Sequence, residues 1–192
     1  MSVGMPADKT ADRWEILESR YPVKDRWLTV RSDRVRLPDG TIVEPFHVLE
    51  APANMNVIAL TAANEVVLVE QWRHPVDKMT VEFPAGAADP GEDPLTAAKR
   101  ELLEETGYTS DRWHLLGTCD AHPSRQDNQL FSYLALDARK VAEPQQSASE
   151  RVRIALEPWP KFRAQLASGE RTMGAMHYAA VTWLTLSGRF PA

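Results

Sequence analysis

Apolar residues reach this chain first in short β-prone runs and later at helical spacing, and the switch between the two patterns sets out its elements. Trp27–Arg36 (WLTVRSDRVR) and Thr41–Leu49 (TIVEPFHVL) are β-prone and flank Leu37-Pro38-Asp39-Gly40. Pro followed by Asp-Gly presets a turn, so a hairpin is expected. Asn56–Leu60 and Val66–Glu70 form a second pair across Thr61–Glu65, and the unbroken Val66-Val67-Leu68-Val69 run predicts a strand buried on both faces. Met79–Phe83 reads as a short strand entering Pro84-Ala85-Gly86. Trp113–Thr118, Leu130–Leu136 and Val152–Leu156 read as further strands, with a polar loop at Asp120–Asp127 and a mobile one at Ala138–Ser149. Helices are expected from Asp93 to Gly107, over Glu157–Ser168 and over Met173–Leu186. In the last of these, Met176, Ala179, Ala180, Trp183 and Leu184 recur at helical spacing as a core stripe. Met1–Arg13 is polar and set apart from this pattern. The order predicts an α+β protein: a mixed sheet between helices, preceded by an N-terminal β unit.

Composition narrows the classes of partner. At 192 residues the chain has enough length for a substantial core, and 43% hydrophobic with 26% charged residues is ordinary for a globular protein. A net charge of −5 argues against a nucleic-acid backbone as partner. Cys119 is the one cysteine, so no intrachain disulfide can form. No run approaches the roughly 18 apolar residues of a membrane span, and MSVGMPADKT lacks the apolar core of a leader. A cytoplasmic location without membrane contact is therefore expected.

The chemistry concentrates in Gly86–Tyr108 (GAADPGEDPLTAAKRELLEETGY). Asp93 is placed to cap a helix, Pro94 suits its first position, and Gly107 suits its left-handed end. At about 100° per residue Leu95, Leu102 and Leu103 fall on one side, and Glu101, Glu104 and Glu105 on the other. Such carboxylates repel by a few tenths of a kcal/mol per pair; a divalent cation among them would reverse that. On its own the pattern is most often a solvated face. Its surroundings are not ordinary, because Gly86, Glu92, Arg100, Glu101, Glu104, Glu105 and Gly107 fill every fixed position of G-x5-E-x7-R-E-U-x-E-E-x-G-U. Chance agreement at all of these is on the order of 10⁻⁸ per starting point. Leu102 fills the internal aliphatic slot, and only Tyr108, where an aliphatic residue is usual, departs from it.

The chain therefore resembles the Nudix hydrolases. The resemblance implies a Nudix-type α/β/α sandwich with a mixed sheet, spanning 56–192, after an N-terminal tail and hairpin unit over 1–55. It implies that Glu101 and Glu105 ligate Mg2+, with Mn2+ as a substitute, helped by the Ala85 carbonyl, and that Glu104 lies in or beside that shell. Arg100 would hold these carboxylates, with Glu92 pairing back onto it, while Gly86 and Gly107 would serve the backbone.

Flanking residues are similar to those of the ADP-ribose pyrophosphatase branch. Pro123 lies fifteen residues beyond Tyr108. Gln71-Trp72-Arg73 followed by Glu82-Phe83-Pro84-Ala85-Gly86 matches the segment whose Arg and Glu contact the nucleoside diphosphate sugar. Glu150 falls where that branch carries a catalytic glutamate, with Glu104 the rival general base. Trp27 and Phe46 are candidates for stacking on adenine, against the plainer reading that they pack within the hairpin. Ser124-Arg125 replaces the glycine common after the branch's proline; Arg125 would reach a phosphate or serve another sugar. The activity implied is hydrolysis of ADP-ribose to AMP and ribose 5-phosphate by a homodimer whose N-terminal hairpins cross and complete the adenine pocket. GDP-mannose and other nucleotide sugars or dinucleotides are alternative substrates. A non-catalytic nucleotide-sugar sensor is the alternative class.

Overall fold

A computed structural model describes residues 12–145 and 152–188 of the 192. The chain divides into two units: residues 1–51 with 122–128, and residues 52–121 with 129–192.

The smaller unit is an antiparallel sheet of three strands, β1 (Glu15–Lys24), β2 (Thr29–Arg36) and β3 (Ile42–Glu50), in that order. The turn between β2 and β3 closes with Gly40 N–H donating to Leu37 O at 2.9 Å and Thr41 N–H to Asp39 Oδ1 at 2.9 Å. The expected hairpin is thus present, but it is two-thirds of a sheet. The polar segment before it forms the added strand β1, whose residues are nearly all exposed and which carries Pro22. Neither burial nor period marks such a strand in the sequence. Proline is tolerated there because β1 lies at the edge, and the register shifts between Arg20 and Val23. Segment 122–128 belongs to this unit through Leu49 N–H, which donates to Arg125 O at 2.8 Å, and Ala51 N–H, which donates to Asp127 Oδ1 at 3.1 Å.

The larger unit is built on β4 (Asn54–Thr61), β5 (Glu65–Arg73), β6 (Lys78–Glu82), β7 (Ala85–Ala87), β8 (Tyr108–Thr109), β9 (Arg112–Asp120), β10 (Gln129–Lys140) and β11 (Arg153–Pro158). The main path runs β11-β5-β4-β10-β8, with β6 on β5, β7 on β4 and β9 on β10. β4 and β10 pair in parallel and the other pairs are antiparallel, so the sheet is mixed as expected. Helix α1 (Pro94–Thr106) covers one face, where Ala97, Ala98 and Leu102 meet Met55, Val57, Val67 and Tyr133. Helices α2 (Trp159–Ser168) and α3 (Ala175–Ser187) cover the other, where Trp159, Phe162, Ala180 and Leu184 meet Ile58, Leu60, Leu68 and Leu134. Val66–Val69 are essentially inaccessible because they contribute alternately to both layers.

Three boundaries move. β10 runs past Leu136 to Lys140, because Asp137 takes a positive φ of 53° that shifts its register and lets Arg139 and Lys140 pair with β8. The first part of the expected Ala138–Ser149 loop is therefore strand, and its last residues, 146–149, lie outside the described ones. Glu157 and Pro158 close β11 rather than open α2.

Candidate active site

Helix α1 is fixed at both ends by its own sequence. Asp93 accepts from the Leu95 and Thr96 amides at 3.1 Å each, and Pro94 occupies the first position. Gly107 stops the helix at φ 73°, its N–H donating to Leu103 O at 2.8 Å. The core-facing stripe of α1 is Ala97, Ala98, Leu102 and Thr106; Leu103, expected in it, is only half-buried. Glu101, Glu104 and Glu105 lie beside this stripe, against β7.

Arg100 is the hub of that surface. Its guanidinium grips Glu92 with two parallel bonds, Nε to Oε1 at 3.1 Å and Nη2 to Oε2 at 2.8 Å. Nη1 donates to Glu101 at 2.7 Å and to Glu104 at 3.2 Å, and Nη2 donates to the Ala87 carbonyl at 3.0 Å. Glu105 accepts from the Ala85 amide at 2.9 Å. The Glu92 bonds, with those of Glu101 and Glu104, raise the already high pKa of Arg100, and Arg100 in turn lowers that of Glu92. The repulsion inferred from the sequence is thus partly relieved, although one guanidinium faces three carboxylates. Gly86 makes the packing of β7 on α1 possible, since a Cβ there would lie 2.1 Å from the Glu101 carboxyl carbon. Among the described residues no three acidic, histidine or cysteine side chains converge as a ready-made cage. The donors present are nevertheless all hard oxygens, as Mg2+ or Mn2+ requires, and glycine leaves room for the nearest of them.

A second constellation lies on the β5–β6 pair. Arg73 donates to both oxygens of Glu82, at 2.9 and 2.6 Å, and Thr80 Oγ1 donates to Glu82 at 2.7 Å. Nε2 of His177 is 3.6 Å from the same carboxylate. Burial would raise the pKa of Glu82, but the bonds from Arg73, His177 and Thr80 outweigh it and hold the group well below the usual carboxylate range. Arg73 and Glu82 line a cavity of about 560 Å³ with Met79, Val81, Arg171 and Met173.

Comparison with known proteins gives the arrangement its family. The model of the NUDIX domain matches residues 51–173, and that of the nucleoside diphosphate sugar hydrolase N-terminal domain matches residues 14–49. The chain belongs to the Nudix family. Its curated relatives include a methanol dehydrogenase activator of Bacillus methanolicus, 38% identical over 110 residues, covering 57% of this chain and 59% of the relative. An ADP-ribose pyrophosphatase of Mycobacterium tuberculosis is 35% identical over 117 residues, covering 60% of this chain and 56% of the relative. The chain thus spans less than two thirds of the length of these relatives. A crystal structure of an ADP compounds hydrolase superposes with a TM-score of 0.76 at 20% identity, covering 93% of this chain and 97% of that one, a likeness of fold.

In this Nudix chain Ala85, Gly86, Glu92, Arg100, Glu101, Glu104, Glu105 and Gly107 come together on α1 and β7. Ala85 meets Glu105 through its amide. Arg73 and Glu82 pair on β5 and β6. Trp27, Phe46, Pro123 and Arg125 all belong to the smaller unit. There Trp27 is largely exposed with Arg26 stacked 4.3 Å from its ring centroid, while Phe46 packs edge-on to Trp14 and under Arg125. Glu150 lies outside the described residues. Two residues of the Glu82 constellation went unread in the sequence. Thr80 carried a signal, since it stands two positions before Glu82 on a strand and so shares its face. His177 carried a weaker one, a polar residue inside the apolar stripe from Met176 to Leu184.

Proposed function

We propose that this chain hydrolyses the pyrophosphate bond of ADP-ribose to AMP and ribose 5-phosphate, with Mg2+ as cofactor and Mn2+ as a substitute. The observation that carries the reading is the carboxylate surplus around Arg100, packed on a glycine strand beside the matched family motif. The match of residues 14–49 to a nucleoside diphosphate sugar hydrolase N-terminal domain, and relatives named ADP-ribose pyrophosphatase, support the substrate class. Glu101 and Glu105 would hold the cation, with Glu104 and the Ala85 backbone beside them. When bound, it supplies neutralisation of phosphate charge and acidifies the attacking water. Arg100 and Glu92 keep the carboxylates oriented. Arg73, gripped by Glu82, offers its outer edge to the phosphates or the nucleoside. Water adds to one phosphorus, the bridging P–O bond breaks, and the water's proton passes to Glu104 or Glu150. Glu104 suits that role in being the most exposed of the carboxylates on Arg100, at 40% of its side chain.

The active species in this reading is a cytoplasmic homodimer. The smaller unit leaves Trp14, Ile16, Tyr21, Trp27 and Leu28 exposed, an apolar surface that a second copy would cover. Among the described residues no helix is long and apolar enough to cross a membrane.

A panel of ADP-ribose, GDP-mannose, NADH, diadenosine polyphosphates and 8-oxo-dGTP, run with magnesium and with manganese, tests the assignment. ADP-ribose is expected to give the highest kcat/KM, with AMP and ribose 5-phosphate in equal amounts. Preference for another member reassigns the substrate, and tight binding without phosphate-ester product favours a sensor. Light scattering should give twice the 21.6 kDa chain mass; a single-chain mass at micromolar concentration contradicts the dimer.

A further inference from the structure

The deepest polar ring of the larger unit has no part in the chemistry above. His177 is 2% exposed and sits in the first turns of α3. Its ring lies edge-on to Phe83, 5.6 Å between centroids. Phe83 belongs to the apolar cluster that also holds Phe162, Ala180 and Leu184. Packing alone would favour leucine or phenylalanine there, because the imidazole leaves Nδ1 buried without a hydrogen-bond partner. The other nitrogen accounts for the choice. Nε2 lies 3.6 Å from Oε2 of Glu82, the oxygen that also accepts from Arg73 Nη2 at 2.6 Å.

The ring is held in register with the strands of the α1 site. Asn56 Nδ2 donates to Met176 O at 2.8 Å, and the His177 amide donates to Gly174 O at 3.0 Å. Asn56 is fully buried and is the β4 partner of Ala85 on β7. The start of α3 is therefore tied to the strand that leads into the carboxylate face. Glu82 is enclosed by Arg73, Thr80 and His177, and only the first of these is substantially exposed, at 44% of its side chain.

We propose that His177 is a positioning residue: its buried imidazole fixes the rotamer of Glu82, and Glu82 in turn aims the Arg73 guanidinium at substrate in the adjoining cavity. The inference rests on the reading of this chain as a nucleotide-sugar hydrolase in which Arg73 touches substrate. It differs from a packing role in what it demands of the side chain. Volume is not sufficient, and an N–H at the Nε2 position is required.

The kinetic test compares H177F, which keeps the bulk, with H177Q, whose amide nitrogen reaches the Nε2 position, and with R73A as the control. H177F is expected to raise the KM for ADP-ribose about 10-fold with kcat within about 2-fold, and H177Q to restore most of the difference. R73A should raise KM at least as far as H177F does. A parental KM in H177F, or equal defects in H177F and H177Q, overturns the proposal while leaving the substrate reading intact. A parental KM in R73A removes Arg73 from the substrate site and overturns both. A turnover-independent arm reads the contact itself. In long-range 1H–15N spectra of the parent chain, His177 is expected as the tautomer protonated on Nε2. E82Q should move its signals and leave those of His47, His74, His114 and His122 in place. A proton on Nδ1, or signals unmoved by E82Q, overturns the proposal whatever the substrate proves to be.

Discussion

Two arginines of the larger unit are each gripped by a glutamate through a pair of bonds, and their surroundings are opposite. Arg100 is outnumbered: Glu92, Glu101 and Glu104 share it, and Glu105 adds a fourth carboxylate nearby on α1. At Glu82 the donors are in excess, since Arg73, Thr80 and His177 surround one carboxylate. An arginine short of positive charge marks a surface where a further cation is stabilised. A carboxylate saturated with donors marks a fixed anchor whose arginine is preset for an anion. The same ion pair thus serves cation binding in one place and substrate positioning in the other, and the count of neighbours decides which.

The widest separation between the two regions should appear in turnover. E101Q and E105Q each remove charge from the surplus and are expected to lower kcat by roughly 100-fold or more, as chelation with EDTA should, with thermal stability close to parental. Parental rates in both variants would remove α1 from the chemistry. G86A should follow, lowering kcat about 100-fold, because the added methyl displaces the Glu101 carboxylate from 2.1 Å away. That carboxylate is the free end of a flexible side chain, so the melting temperature should change little; a large fall would mean that glycine serves the backbone instead. R100K keeps the charge but not the two-pronged grip, and about 10-fold to 100-fold in kcat is expected.

The anchor should show itself in stability rather than rate. Glu82 has a folded pKa below its ordinary 4.5, so its ionised form stabilises the fold above that pH. This contribution is lost as pH falls through the depressed folded value. E82Q should therefore melt below the parent at neutral pH, and the gap should narrow as the pH drops below 4.5. A gap that widens in acid would contradict the sign. The smallest effect belongs to the helix end: D93A should cost about 1 kcal/mol, or about 2–4 °C, with kcat unchanged.

The contrast also explains what the sequence made legible. The α1 surplus is local: its carboxylates, arginine and cap fall within Gly86–Gly107, so helical period alone brings them to one surface. The Glu82 anchor is assembled from β5, β6 and α3, and His177 reads as part of a core stripe until α3 is folded over Phe83. Strands buried on both faces, such as Val66–Val69, announce themselves by continuous apolarity. The exposed edge strand β1 does not, because nothing in Glu15–Lys24 needs burial. Residues 122–128 were read as part of the catalytic domain, since local sequence holds no trace of the hydrogen bonds that join them to β3.

The account stands on the claim that the surplus around Arg100 is a cation site. Manganese titration followed by electron paramagnetic resonance, on the parent and on a variant carrying both E101Q and E105Q, measures that directly. The parent should deplete the free-ion signal, more strongly with AMP and ribose 5-phosphate present, and the double variant should leave it nearly unchanged. Equal depletion by both proteins would contradict it.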